Sequence, residues 1–224
     1  MIRRLTRDPL FADRQDAGRA LAAALESERS AELVVVGLAR GGVVIAAEIA
    51  TALAAPLDVV AVRKIGYPWQ PEYGIGAVTP GTGVYIRATD GLTEEELADV
   101  VEATKRKATL LDERLHAGRP ALDLDGKSVL VVDDGLATGA TMVAALRWAR
   151  ASGAARVVAA VPVAPSESLK TIGREADDVV CLHAPKHFLA VGSHYAAFWQ
   201  VDDDAVIRLL DENRRQREQR TPLS

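Results

Sequence analysis

Two adjacent carboxylates mark the stretch of this 224-residue chain with the clearest chemistry. Asp133 and Asp134 follow the run Val129 to Val132, whose aliphatic residues show no polar alternation and predict a strand buried on both faces of a parallel sheet. Ligands of open α/β sheets bind at the carboxyl ends of such strands. A pair of carboxylates at that position can accept hydrogen bonds from neighbouring hydroxyl groups, as on a sugar phosphate.

The residues after the acid pair predict a phosphate-binding turn. A loop of small residues, 135 to 139, leads into a helical pattern from Thr141 to Arg150. Exposed backbone N–H groups of residues 137 to 141, the positive end of the helix dipole and two threonine hydroxyls can surround a phosphate without a side-chain cation. The alternative is an ordinary strand-to-helix turn capped by Asp134. A cap needs one acid, however, and does not require the Thr-Gly-x-Thr sequence that follows.

This stretch resembles the ribose-phosphate-binding signature of the type I phosphoribosyltransferases, which is a hydrophobic strand, two acids, a small loop and Thr-Gly-x-Thr. The resemblance implies that Asp133 and Asp134 bind the 2′ and 3′ hydroxyls of phosphoribosyl pyrophosphate, and that the following loop binds the 5′-phosphate. The loop residues are Ala137, Thr138, Gly139, Ala140 and Thr141. It also implies the α/β fold of that family, a parallel β-sheet flanked by helices. Predicted strands and helices alternate along the chain, which agrees with that fold.

A second turn with unobstructed backbone N–H groups is predicted earlier in the chain. Residues 33 to 37 form a buried-strand pattern, and Leu38-Ala-Arg-Gly-Gly42 leads from it into a helix that ends at Leu53. By itself, Arg-Gly-Gly after a strand is equally typical of a simple tight turn. Type I phosphoribosyltransferases have a pyrophosphate-binding loop at this topological position. The resemblance therefore assigns pyrophosphate to Arg40 and Gly41, with Lys64 as a further contact in the catalytic site.

A long segment without a regular pattern follows the next predicted strand, residues 58 to 62. Residues 65 to 83 are rich in Gly, Pro and aromatic residues, and a loop of this length is often a functional lid. The alternative is a loop that its own aromatic residues pack against the core. The resemblance favours a flexible lid that excludes water from the reaction. It also places Glu72 as a catalytic acid or base, because Arg63-Lys-x-Gly and Pro71-Glu-Tyr-Gly74 are similar to parts of adenine phosphoribosyltransferases.

The segment from residue 183 to 202 interrupts the alternation of strands and helices and gathers aromatic residues. It resembles a hood, the small variable cap that binds the acceptor base in this family. A planar base needs apolar rings for stacking, and Tyr195, Phe198 and Trp199 are assigned to base binding. The alternative is a C-terminal strand and turn that completes the core and uses some of the same aromatic residues.

Composition and charge are typical of one globular domain. The chain is 49% hydrophobic and 26% charged, and we expect a single domain over residues 1–224, with a core at about 16–182 and a charged tail at 211–224. A net charge of −4 argues against a general nucleic-acid-binding protein, which needs a basic surface. The single cysteine excludes an intrachain disulfide, and no apolar run is long enough to cross a membrane. We therefore expect a cytoplasmic protein without a membrane partner.

The resemblance implies an enzyme that transfers ribose 5-phosphate from phosphoribosyl pyrophosphate to a nitrogenous base, for instance a purine, and releases pyrophosphate. Mg²⁺ is expected to be held mainly through the substrate, with no protein ligand, and the expected assembly is a homo-oligomer, a dimer. The acceptor stays open, because position 137 is alanine where hypoxanthine-guanine enzymes carry an aspartate. In adenine-type enzymes, moreover, the hood lies at the opposite end of the chain. The alternative function is a regulator that binds phosphoribosyl pyrophosphate without turning it over.

Overall fold

A five-stranded parallel sheet forms the centre of the computed structural model, which describes residues 9–89 and 91–220 except for the side chains of residues 71 and 72. In spatial order the strands are Leu57–Val60 (β2), Leu33–Leu38 (β1), Ser128–Val132 (β6), Arg156–Val163 (β7) and Asp178–His183 (β8). All four neighbouring pairs are parallel. The predicted α/β fold with a parallel sheet is therefore confirmed.

Helices cover both faces of the sheet. Those within the described residues are Arg14–Ala24 (α1), Gly41–Leu53 (α2), Glu94–His116 (α3), Ala140–Ala151 (α4), Ser166–Ile172 (α5) and Asp203–Arg220 (α6), with short 3-10 turns at Glu26–Glu28 and Val191–His194. One hydrophobic cluster joins the sheet to α1, α2 and α6, and a second joins it to α4 and α5. No helix in the described ranges is long and apolar enough to cross a membrane.

Strand β6 carries the acid pair and lies in the middle of the sheet, between β1 and β7. Its last four residues are fully buried. Leu130 and Val132 contribute to the cluster under α1 and α2, whereas Val129 and Val131 contribute to the cluster under α4. This two-sided burial is why the strand has no polar alternation, as the sequence predicts.

The predicted irregular loop at residues 65–83 instead belongs to an antiparallel sheet that extends over residues 63–86. Its strands are Arg63–Tyr67 (β3), Gln70–Val78 (β4) and Val84–Ile86 (β5). The buried side chains of Ile65 and Ile75 belong to a separate small hydrophobic cluster, which packs against α3. Several glycines hide the strand pattern in the sequence. One of them, Gly76, is required because a Cβ atom there would lie 2.2 Å from the carbonyl oxygen of Tyr85.

The charged C-terminal segment also differs from its prediction. Helix α6 continues to Arg220, so residues 211 to 220 are not a separate tail, and residues 221–224 lie outside the described ranges. Asn213 is buried, where its Oδ1 accepts a hydrogen bond from the N–H of Leu57 at 3.0 Å and its Nδ2 donates to the carbonyl oxygen of Ala55 at 3.1 Å. One polar side chain thus joins α6 to the start of β2. The surrounding charged sequence gave no sign of this contact.

A buried polar cluster fixes the C-terminal end of α3 against β2. Nε2 of His116 lies 3.0 Å from Oδ1 of Asp58, and Nδ1 lies 2.9 Å from the carbonyl oxygen of Asp112 and 3.3 Å from the Oδ2 atom of the same residue. Both neighbours are acceptors, so both ring nitrogens donate and the ring is an imidazolium. Hydrogen bonds to Asp112 and then to Asp58 raise the pKa of His116 to about 10.

Substitution His116→Gln should destabilise the protein by about 3 kcal/mol near pH 6, because it leaves two carboxylates without their cation. The stabilisation is fully present below the unfolded-state pKa of 6.5 and is lost as the pH rises through about 10. Urea unfolding of both proteins across this range should show a difference in the free energy of unfolding that shrinks with pH. A constant difference would contradict the imidazolium assignment. The exposed His187→Gln serves as the control and should change stability by less than about 0.5 kcal/mol.

Helix α2 begins in close contact with the end of β6. A Cβ atom on Gly42 would lie 2.5 Å from the carbonyl oxygen of Val132 and 2.9 Å from Cα of Asp133. Both are backbone atoms, which cannot move aside as the end of a side chain can. The approach of this helix to the acid pair therefore depends on glycine.

Substitution Gly42→Ala should lower the free energy of unfolding by about 1–3 kcal/mol, because the added methyl group forces α2 away from β6. Gly74→Ala is a suitable control, since the nearest atom to a Cβ there is 4.0 Å away. Thermal unfolding followed by circular dichroism compares the two variants. Equal melting temperatures would show that the contact at Gly42 relaxes at little cost.

Candidate functional site

The acid pair occupies the first two positions after β6, at the carboxyl edge of the parallel sheet. Oδ1 of Asp133 accepts a hydrogen bond from the N–H of Asp134 at 2.9 Å. Burial raises the pKa of Asp133 well above its ordinary value, and the charge of Asp134 raises it further, while the charges of Lys64 and Arg14 oppose this shift. Burial also raises the pKa of Asp134. In such a poorly hydrated setting, hydrogen bonds from a ligand hydroxyl are stronger than in water.

The predicted phosphate loop forms the turn between β6 and α4. Helix α4 begins at Ala140, and Gly139 before it has a φ of 77°, a left-handed conformation that favours glycine. Ala137 and Thr138 are exposed. The first N–H groups of a helix have no partner within it, so this open turn can bind an anion. The assignment of phosphate to residues 137–141 stays a prediction.

The second predicted turn lies directly beside the acid pair. A Cβ atom on Gly41 would lie 2.0 Å from Oδ2 of Asp134, so the start of α2 and the end of β6 meet here. The guanidinium of Arg40 forms an ion pair with the buried Asp203, which also pairs with Arg114 at 3.0 Å. Asp203, which the sequence analysis did not single out, thus holds Arg40 in place.

The antiparallel strands carry two further predicted residues. Lys64 lies on β3 with an exposed side chain, and it is near enough to lower the pKa of Asp133. Glu72 lies on β4, but its side chain is outside the described part of the molecule. The structure therefore relates Lys64 to the acid pair and leaves the role of Glu72 a prediction.

The three aromatic residues assigned to base binding differ widely in exposure. Tyr195 is 5% exposed, and its hydroxyl donates a hydrogen bond to the carbonyl oxygen of Asp134 at 2.6 Å. Phe198 is 37% exposed and Trp199 is 80% exposed. Trp199 accordingly presents the most ring surface to a ligand, whereas Tyr195 packs between Phe11 and Phe198. Their roles in base binding are untested.

Arg14, at the start of α1, is another residue beside the acid pair that the sequence analysis missed. Its Nε lies 2.8 Å from Oδ2 of Asp134, although 120 positions separate the two residues. No motif surrounds Arg14, and its relevance depends on a contact that only the folded chain creates. Its position is set by residues 10–12, which form hydrogen bonds with residues 194, 196 and 197.

Two of the clefts that adjoin the turn at Arg40 are relevant to the predicted site. One, of about 740 Å³, lies between the antiparallel strands and α3 and is lined by Arg40, Arg63, Lys64, Lys107 and Arg114, among others. The other, of about 390 Å³, lies between this turn and the predicted hood and is lined by Gly41, Phe198 and Trp199, among others. Because Gly41 also abuts Asp134, the second cleft opens next to the acid pair.

Comparison with known proteins gives the family. Residues 11–199 match the model of the phosphoribosyl transferase domain. A Mycobacterium tuberculosis protein named "Putative phosphoribosyl transferase Rv0571c" is 44% identical over 211 residues, which is 92% of this chain and 47% of that protein. The chain thus spans about half the length of the curated relatives it matches. The crystal structure of the protein TT1426 from Thermus thermophilus is 41% identical, covers 90% of this chain and 98% of that chain, and has a TM-score of 0.78.

The matched region contains the acid pair, both turns and the aromatic residues of the predicted hood, so the similarity extends over the whole site. The fold agrees over most of both chains in the Thermus thermophilus structure. The chain therefore belongs to the phosphoribosyl transferase domain family.

Proposed function

We propose that this protein transfers ribose 5-phosphate from phosphoribosyl pyrophosphate to a nitrogenous base and releases pyrophosphate. The observation that carries the proposal is the meeting of two strand-to-helix turns at one acid pair. Gly41 abuts Asp134, and the open turn at residues 137–141 follows the same two acids. A ligand with a phosphate at each end and a sugar between them matches this order of groups.

We assign each group of the donor substrate to residues of the candidate site. The 5′-phosphate binds the N–H groups of residues 137–141, and the ribose hydroxyls donate to Asp133 and Asp134. The pyrophosphate contacts the turn at Arg40 and Gly41, together with Lys64. The acids also stabilise the positive charge that develops on the sugar ring as its bond to pyrophosphate breaks.

We propose that Mg²⁺ is held mainly by substrate oxygens and water. Within the described residues, no group of three or more His, Cys, Asp or Glu side chains could hold a metal ion. Mg²⁺ commonly keeps several waters and binds substrate phosphates, and this is the mode of binding proposed here. Bound in this way, it neutralises the charge of the pyrophosphate leaving group.

The acceptor is proposed to bind in the cleft of about 390 Å³ beside the hood segment, residues 183–202. Its volume is within the range of small-molecule sites, and the exposed ring of Trp199 offers a stacking surface for a planar base. A purine is one such base. The segment of residues 65–83, which includes β4, is proposed to act as the lid, with Glu72 as acid or base at the acceptor.

The donor assignment is tested by calorimetric titration with phosphoribosyl pyrophosphate and Mg²⁺. Asp134→Asn should weaken binding about tenfold or more, because the carboxylate loses charge-assisted hydrogen bonds to the ribose. Asp99→Asn, at an exposed position on α3, should bind like the wild type. Circular dichroism checks that both variants are folded. Unchanged affinity in a folded Asp134→Asn protein would remove the ribose assignment.

The reaction itself is tested with a panel of bases and pyrophosphate release as the readout. Release with one base would name the acceptor. Donor binding without release for any base would instead favour a protein that senses phosphoribosyl pyrophosphate without catalysis.

Glu72→Gln should then lower kcat about a hundredfold with the active base and change donor affinity little, because it removes a proton-transfer group. The pH profile of kcat should lose one limb. Glu95→Gln, at an exposed position on α3, is the matched control and should keep the wild-type profile. A wild-type profile in Glu72→Gln as well would exclude Glu72 as the acid or base.

A further inference from the structure

Arg14 connects the acid pair to the predicted hood segment, residues 183–202. Nε and Nη2 of Arg14 lie 2.8 and 2.7 Å from Oδ2 of Asp134, and Nη1 donates to the carbonyl oxygen of Trp199 at 2.7 Å. The guanidinium carbon also lies 3.7 Å from the centre of the Phe198 ring. Only 12% of the Arg14 side chain is exposed. All three nitrogens are thus used by groups that belong to the site.

The backbone around Arg14 is held to the same segment. Asp13 caps α1 by accepting a hydrogen bond from the N–H of Asp16 at 2.8 Å. The N–H of Ala197 donates to the carbonyl oxygen of Ala12 at 2.8 Å, and that of Ala196 donates to Phe11 at 2.9 Å. The start of α1 and the segment after Tyr195 therefore form one unit, and Arg14 extends from this unit to Asp134.

Several charged or titratable groups face Asp134. Asp133 lies beside it on the same turn, and the hydroxyl of Tyr195 donates to its carbonyl oxygen at 2.6 Å. The charge of Lys64, on β3, lowers the pKa of Asp133. Helix α2 contributes the uncharged Gly41 at the point of contact. Burial raises the pKa of Asp134, while the charge and hydrogen bonds of Arg14 lower it, so Arg14 is the cation that opposes protonation of this carboxylate.

Building on the function proposed above, we propose that Arg14 is a positioning residue. It keeps the Asp134 carboxylate ionised and oriented for a ribose hydroxyl, and it ties this carboxylate to the hood segment. Two N–H groups of one planar guanidinium meet Oδ2 of Asp134 and hold that oxygen in place, which a single ammonium group does less well. A role limited to packing would change stability alone. The proposed role also changes the pH at which the sugar binds.

Three variants separate these roles. Arg14→Gln removes the charge, Arg14→Lys keeps the charge without the two-pronged contact, and Arg19→Gln is the control. Arg19 lies on the same helix, is exposed, and pairs with Asp16 at 3.6 Å. Binding of phosphoribosyl pyrophosphate with Mg²⁺ is measured by calorimetry at steps between about pH 5 and about pH 9, so that the pH midpoints of binding of the variants can be compared.

Arg14→Gln should raise the pH midpoint of binding by about one unit, because Asp134 loses the cation that favours its charged form. Its affinity near pH 7 should fall about tenfold. Arg14→Lys should keep the wild-type midpoint and still bind more weakly, since it restores the charge and not the orientation. Arg19→Gln should match the wild type in both respects.

A folded Arg14→Gln protein with the wild-type midpoint would overturn the inference. If Arg14→Gln does not fold, Arg14→Lys provides the test. Wild-type affinity in that variant would show that the two-pronged contact does not position the Asp134 carboxylate, and would overturn the inference. Failure of the proposed function itself would give a different result. In that case the wild-type protein binds no phosphoribosyl pyrophosphate at any pH, and both ideas are overturned.

Discussion

The partial burial of two adjacent carboxylates at the end of the central strand is the constraint on which the rest of the site depends. Charged groups removed from water are costly unless other groups compensate for the lost hydration. Here the compensation comes from elements that are distant in sequence. Arg14 from α1 supplies a cation, Lys64 from β3 supplies a second positive charge, and the glycines at the start of α2 allow its backbone to approach. Two cations from separate elements thus offset the cost of placing Asp133 and Asp134 side by side, and a third element, α2, packs against the pair.

The part of the site that follows β6 was predictable because it is local. A run of aliphatic residues, two acids and a small-residue turn are contiguous, and their order is determined by the chain itself. Strand β1 and the turn at Arg40 were predictable for the same reason, and parallel topology places both turns at one edge of the sheet. Arg14, Asp203 and Asn213 have no such local pattern. Each acts through a partner more than one hundred positions away, so only the folded structure reveals it.

The antiparallel strands between β2 and α3 show a different limit. Glycine, proline and aromatic residues in residues 65–83 favour an irregular loop on composition, yet the chain forms β3, β4 and β5. The strands pack against α3 and α4, which occur later in the sequence, and glycine is needed where the backbones come close. Tertiary packing therefore overrides a weak local signal. The same ordered strands bring Lys64 near the acid pair, so a segment expected to be irregular is part of the framework of the site.

The most direct test of this account is a crystal structure with phosphoribosyl pyrophosphate and Mg²⁺ bound. We expect the two ribose hydroxyls within hydrogen-bonding distance of Asp133 and Asp134, and the 5′-phosphate on the backbone N–H groups of residues 137–141. The pyrophosphate should lie against Arg40 and Gly41, with Arg14 still in contact with Asp134. A donor bound instead in the cleft lined by Arg63 and Lys107, with its sugar away from the acid pair, would contradict the account.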